Sequence, residues 1–201
     1  MRSAIILAGG RSSRFSTDKS LFPLGGKTMI EHVLDKVSGI VDETLVVVGD
    51  PRQGKKISTV ICETRITYDS IIGYGPVAGI LAGLLCAKGE YTLVIACDMP
   101  FVNASVVDFL FSLAGGYDAV VPRWSDGNIE PLHAVYKRNS MIKACEKAIE
   151  KDERTISSSL HALPKVRYVS TEEIKEIDPE LRTFINVNTP SEFENLLQKS
   201  I

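Results

Sequence analysis

AIILA (residues 4–8), TLVVV (44–48), TLVIA (92–96) and DAVV (118–121) are short, almost wholly apolar runs bounded by Gly, Asp or Pro. A strand sends alternate side chains to opposite faces, so an unbroken apolar run has both faces covered, as in a parallel sheet between helical layers. Between these runs apolar residues recur at helical spacing. Met29, Ile30, Val33, Leu34 and Val37 form one such set, Val77, Ile80, Leu81, Leu84 and Leu85 a second, and Val106, Val107, Leu110 and Phe111 a third. The order β-α-β-α-β-α-β predicts an α/β fold: a three-layer α/β/α, Rossmann-like open and mostly parallel sheet. Ligands of such sheets bind beyond the carboxyl ends of the strands where the strand order reverses, so the chemistry is expected in the loops after strands.

The pattern weakens from about residue 124 to 136, where the polar loop WSDGNIEPL precedes HAVY, and a charged helix follows from about Ser140 to Lys151. This stretch reads as a flank or flap. FINVNT reads as a last strand, and PSEFENLLQK as a closing amphipathic helix with Pro190 in its first turn. With 201 residues and no internal repeat, linker or low-complexity segment, a single domain is expected over 1–201, with a nucleotide-binding half of about 1–122 and a second half of about 123–201.

A formal net charge of -2 supplies no global positive field for a nucleic-acid backbone or an anionic membrane. The apolar run in MRSAIILAGG is too short for a signal-peptide core, and no run approaches the roughly eighteen apolar residues of a membrane span. A cytoplasmic protein without nucleic-acid or membrane partners is expected. Cys62, Cys86, Cys97 and Cys145 show no metal-ligand spacing and read as reduced thiols packed as small hydrophobes; His32, His133 and His161 are equally dispersed.

Directly after the first strand come Gly9, Gly10, Arg11, Ser12, Ser13 and Arg14, with Lys19 a short distance beyond. Glycines let backbone N–H groups approach and wrap a phosphate, serines add hydroxyl donors, and Arg11, Arg14 and Lys19 supply countercharge. In composition and position this is a triphosphate cradle; the plainer alternative is a basic surface turn. Two other phosphate motifs are nearly present. LFPLGGKT (21–28) ends like a Walker A loop, but Leu21 stands where its first glycine belongs and Pro23 lies inside it. Gly73, Gly75 and Ala78 imitate a dinucleotide fingerprint, yet the preceding Ile71-Ile72 pair is too short for the required strand.

Asp98 follows TLVIA and Cys97 and precedes Met99-Pro100, which places a carboxylate just past the end of a strongly apolar strand. Mg²⁺ takes one or two carboxylates together with phosphate oxygens and water, so one aspartate suffices as its protein ligand. A turn or helix-capping aspartate is the structural alternative. Tyr68-Asp69 followed by Gly73-Tyr74-Gly75-Pro76 leads into the helix from Val77, on which Gly79 and Gly83 share a face. Small residues there admit a base or sugar closely and Asp69 offers an acceptor for a nucleoside donor, although turn punctuation explains the stretch nearly as well. Glu130-Pro131-Leu132 and Asn186-Val187-Asn188 are weaker signals in isolation.

Taken together, LAGGRSSRF (7–15) with Asp18-Lys19, PLGGKTMIEHV (23–33), GPVAGILAGL (75–84), ACDMPF (96–101), EPLHAVY (130–136) and NVNTP (186–190) resemble the molybdenum cofactor nucleotidyltransferases. The order is collinear over nearly the whole chain, and the guanylyltransferases that join GMP to molybdopterin match most nearly. The resemblance implies a nucleotide-diphospho-sugar transferase-like fold and the reaction of GTP with molybdenum-molybdopterin to give molybdopterin guanine dinucleotide and pyrophosphate. It implies that Leu7, Ala8, Gly9 and Gly10 contact the nucleotide, with Gly75, Pro76 and Gly79 beside it. Lys19, Arg11 and Arg14 neutralise phosphates, Asp69 binds the nucleoside, Asp98 holds Mg²⁺, and Asn188 is a second group near the metal or the pterin phosphate, with Asn186 beside it. The second half becomes the pterin side, and apo-molybdoenzymes or other cofactor-biosynthesis proteins become candidate partners. Two stretches depart from the family: Arg14-Phe15-Ser16 where it often reads R-M-G, and Gly49-Asp50-Pro51 where an asparagine often contacts the nucleoside. Three further readings remain open. The sister cytidylyltransferases usually carry L-A-A-G where this chain has L-A-G-G, sugar-phosphate nucleotidyltransferases share the fold and loop logic, and a molybdopterin-delivery scaffold would bind nucleotide without turnover.

Overall fold

The computed structural model describes residues 1–9, 18–61, 64–69, 71 and 73–198. Gly10, Arg11, Ser12, Ser13 and Arg14 of the expected cradle, and Cys62, lie outside the described residues. The chain runs β1 (Arg2–Leu7), a 3₁₀ turn (Lys19–Leu21), β2 (Pro23–Leu24), β3 (Lys27–Thr28), α1 (Met29–Val37), β4 (Glu43–Val48), α2 (Pro51–Ile57), β5 (Arg65–Tyr68), α3 (Pro76–Cys86), β6 (Tyr91–Ala96) and α4 (Ala104–Ser112). It continues through β7 (Ala119–Arg123), β8 (His133–Lys137), α5 (Arg138–Glu150), α6 (Ile156–His161), β9 (Val166–Ser170), α7 (Thr171–Ile174), a second 3₁₀ turn (Arg182–Phe184) and α8 (Pro190–Gln198).

Among the described residues the main sheet has seven strands in the order β5-β4-β1-β6-β8-β7-β9. All neighbours pair in parallel except at β8, which is antiparallel to β6 and β7. The expected mostly parallel α/β/α sheet is what forms, because Ile5, Val46, Val94 and Val120 are shielded on both faces. One helical layer packs Val33, Ile57, Val106 and Leu110 onto one face. The other face takes Ile80 and Leu84 of α3, Met141 and Cys145 of α5, and Leu160 of α6.

Two segments depart from the sequence expectation. HAVY is no flank: it is β8, buried in the sheet between β6 and β7, with Ile95 opposite His133 and Thr92 opposite Tyr136. FINVNT is not a strand. After the turn at Arg182–Phe184 it runs as an extended strap whose Val187 N–H donates to the Asp98 carbonyl at 2.8 Å. The P-loop-like LGGKT is a two-residue hairpin between β2 and β3, with φ of 57° at Gly25 and 89° at Gly26. Positive φ at both central positions matches the right-handed twist of the flanking strands and accounts for both glycines without a phosphate.

Candidate functional site

Chain order leaves β1 for β4 and β5 on one side, then returns to β6 on the other. The strand order therefore reverses between β1 and β6, and their carboxyl ends open onto a crevice. Leu7 closes β1 by accepting the Cys97 N–H at 3.1 Å, while the N–H groups of Ala8 and Gly9 both donate to Val47 at 2.9 and 3.1 Å. Gln53, on the first turns of α2, ties the same ends together: its amide donates to the Ala8 carbonyl and accepts from the Gly49 N–H, each at 2.8 Å. At Gly9 the segments leaving β1 and β4 pass so closely that a Cβ would stand 3.1 Å from the Gly49 nitrogen. No local pattern marks Gln53, because its role depends on α2 docking beside β1.

On the β6 side three side chains converge. Lys19 Nζ donates to Asp98 Oδ2 at 2.8 Å and to Asn188 Oδ1 at 2.9 Å. Lys19 is aimed by its 3₁₀ turn, whose first N–H donors are met by Asp18 through Ser20 at 3.1 Å. Asn188 is held by Glu192 of α8, whose carboxylate accepts from the N–H groups of Asn188 at 2.6 Å and Thr189 at 3.2 Å. Asp98 is no helix cap, since Asn103 caps α4 by accepting from Ser105 N–H at 2.9 Å. Its second oxygen, Oδ1, is buried and has no hydrogen-bond partner among the described residues. An orphaned carboxylate oxygen beside an amide oxygen is a donor set that fits a hard divalent cation such as Mg²⁺, which prefers oxygen ligands. Among the described residues no group of three or more His, Cys, Asp or Glu gathers, so a dedicated all-protein metal cage is absent there. Cys97, next to Asp98, is buried, and burial pushes its thiol far up, which keeps it an uncharged packing group.

On the β5 side Asp69 follows the strand end, its N–H donating to Val48 at 2.8 Å and its Oδ1 accepting from Ile71 N–H at 3.0 Å. Burial raises its carboxyl above the ordinary value, partly opposed by that bond. The missing side chain of Gly79 leaves room beside it: a Cβ there would lie 3.6 Å from Leu7 and 4.0 Å from Asp69 Oδ2. Gly75, with φ of 110°, turns the chain into α3, and Pro76 occupies the first helical position, where its missing N–H costs nothing. Asn186 is exposed and makes no hydrogen bond to this cluster among the described residues. Glu130 is elsewhere, on the β7–β8 connection: it accepts from the Trp124 indole at 2.7 Å, and burial raises its carboxyl. Thus Leu7, Ala8 and Gly9 at the end of β1 lie with Asp69 and Gly79 on the β5 side, Gly75 and Pro76 open the helix that carries Gly79, and Lys19, Asp98 and Asn188 meet on the β6 side.

A family model described as a MobA-like NTP transferase domain matches residues 4–166. Proteins named probable molybdenum cofactor guanylyltransferase from Methanosarcina mazei and Methanosarcina acetivorans are each 42% identical, the alignments covering 98% of this chain and 90% of theirs. The crystal structure of molybdopterin-guanine dinucleotide biosynthesis protein A from Archaeoglobus fulgidus is 33% identical and superposes with a TM-score of 0.83 over 100% of both chains.

Proposed function

This chain belongs to the MobA-like NTP transferase family, and on that footing we propose that it transfers GMP from GTP to molybdenum-molybdopterin, forming molybdopterin guanine dinucleotide and releasing pyrophosphate. The observation that carries the reading is the convergence of Lys19, Asp98 and Asn188 at the strand-order reversal, with Asp98 Oδ1 left unpaired. Nucleotidyltransferases of this family generally use a divalent metal; here Asp98 would hold Mg²⁺ with Asn188 beside it. When bound, Mg²⁺ supplies charge neutralisation at the reacting phosphates.

The backbone of Leu7 to Gly10 receives the nucleotide, Asp69 accepts from the nucleoside, and Gly75, Pro76 and Gly79 keep the surface beside it low. Three strand spacings separate the ends of β5 and β6, about 14 Å, so the nucleoside lies at one end of the crevice and the reacting phosphates at the other. Lys19 turns its ammonium from Asp98 to the phosphates, and Arg11 and Arg14 add countercharge. The pterin's terminal phosphate attacks the α-phosphorus in line with departing pyrophosphate, so no enzyme nucleophile is needed and catalysis is alignment plus charge stabilisation. The acceptor enters from the side of residues 123–201. No helix among the described residues is long and apolar enough to cross a membrane. The reading includes a cytoplasmic site of action, with apo-molybdoenzymes as recipients of the product.

Pyrophosphate release with Mg²⁺ and metal-loaded molybdopterin, run in parallel with GTP and CTP, tests the reading. Release with GTP alone is expected, and Asp98→Ala should lose at least about a hundredfold in turnover at unchanged melting temperature. Release with CTP alone moves the protein to the cytidylyl reaction, and near-normal turnover by Asp98→Ala refutes the metal assignment.

A further inference from the structure

The strap carrying Asn188 is held to the turn carrying Asp98 at two levels. The upper one is the Val187 N–H to Asp98 carbonyl bond at 2.8 Å. The lower one is part-buried: the N–H of Asn103, at the far end of the Asp98 turn, donates to Thr183 Oγ1 at 3.0 Å, at the base of the strap. Thr183 is fully buried, and its own N–H donates to Asp178 Oδ2 at 2.8 Å. Its hydroxyl also lies 3.3 Å from Nε2 of His133 on β8, likewise fully buried.

Hydrogen-bond accounting assigns the proton. Thr183 Oγ1 accepts from Asn103, and no other acceptor for its hydroxyl hydrogen is present among the described residues. If the hydroxyl donates to His133 Nε2, only the imidazole Nδ1–H is left without a partner; the opposite tautomer leaves both Nδ1 and the hydroxyl hydrogen unmet. His133 is further fixed by the edge of Phe184, with ring centroids 5.1 Å apart at 76°. Phe184 in turn meets Trp124 at 5.8 Å, and Glu130 holds the Trp124 indole. Packing alone would favour an apolar side chain over an imidazole with an unpaired buried nitrogen; such departures from local rules concentrate at functional sites.

We propose that Thr183 and His133 are positioning residues of the metal site: one buried hydroxyl, oriented by the imidazole, joins the Asp98 turn, the Asn188 strap and β8, and so sets the spacing of Asp98 and Asn188. The Glu130 to His133 stretch braces this joint through Trp124 and Phe184. The proposal rests on the reading of Asp98 and Asn188 as the groups beside the metal.

The test compares GTP affinity by calorimetry with Mg²⁺ and with chelator in wild type, Thr183→Val, Thr183→Ser, His133→Phe and Asp98→Ala. Thr183→Val keeps the shape and deletes the oxygen. It should shrink the Mg²⁺-dependent tightening of GTP by about tenfold, the usual scale for groups that orient metal ligands, while leaving metal-free GTP affinity unchanged. Thr183→Ser should restore the tightening. Full tightening in Thr183→Val, even with a lowered melting temperature, overturns the positioning role. Should Thr183→Val fail to fold, His133→Phe carries the same test, because it removes the acceptor that orients the hydroxyl. No Mg²⁺-dependent tightening in wild type, or undiminished tightening in Asp98→Ala, overturns instead the metal reading and the inference with it.

Discussion

Burial at His133 makes stability depend on pH in a calculable way. Desolvation drives its imidazole down to about 3 from 6.5, so the folded protein holds it neutral throughout the range from pH 7 to pH 5. The unfolded chain exposes the ring, which takes up a proton near its ordinary value of about 6.5. The unfolded state therefore binds more protons, and stability falls as the pH falls. The slope approaches about 1.4 kcal/mol per pH unit, and integrating between pH 7 and pH 5 gives a loss of about 2 kcal/mol from this one group. For a domain of this size that is about 4–8 °C in melting temperature. Carboxylates contribute their own pH dependence to wild type and variant alike, so the measurement is a difference. His133→Gln, which cannot titrate, should lose stability relative to wild type at pH 7 and recover about 2 kcal/mol of that gap at pH 5. Urea unfolding at both pH values reads it directly. A gap between wild type and His133→Gln that is the same at pH 7 and pH 5 refutes the claim that the buried imidazole stays neutral.

Gly83→Ala would place a methyl 2.8 Å from both Cδ1 and Cγ2 of the fully buried Ile5. Overpacking of about 1–3 kcal/mol should outweigh a helix-propensity gain of about 1 kcal/mol, and in an Ile5→Ala background the same change should become neutral or stabilising by thermal unfolding. Gly75→Ala forces a side chain into φ of 110° and to 3.3 Å from the Arg154 carbonyl, so it should cost about 1–3 kcal/mol in denaturant titration. Asp69→Asn should raise KM for GTP roughly tenfold with a smaller change in kcat, because a charged acceptor to the nucleoside is lost rather than a group at the phosphates; a kcat loss exceeding the KM change speaks against that role.

Much of the crevice was legible residue by residue. Asp98 is marked by a strongly apolar strand ending in a carboxylate, Gly9 by its place after β1, and Gly75-Pro76 by the chemistry of a helix start, all signals contained in a few neighbouring residues. Gln53 and Thr183 were not legible: an amide on a short helix and a threonine in a polar stretch carry no local mark, and each acquires its role only from backbone groups brought from another segment. The LGGKT stretch shows the converse. It ends like a phosphate loop, Leu21 and Pro23 argue against one, and the hairpin backbone accounts for its glycines.

What the sequence by itself determined is the layered α/β class, because continuous apolarity in β1, β4 and β6 demands cover on both faces wherever those strands lie. What only the tertiary structure decided is direction and convergence. A strand buried on both faces reads alike in either direction, so the antiparallel insertion of β8 between β6 and β7 came from pairing, not pattern. FINVNT has the composition of a strand, but its Val187 N–H is taken by the Asp98 carbonyl, and it becomes the strap that brings Asn188 to Lys19 across 169 residues of chain. Side-chain periodicity records which faces are buried; it does not record which distant donor meets which acceptor, and the site is made of those meetings.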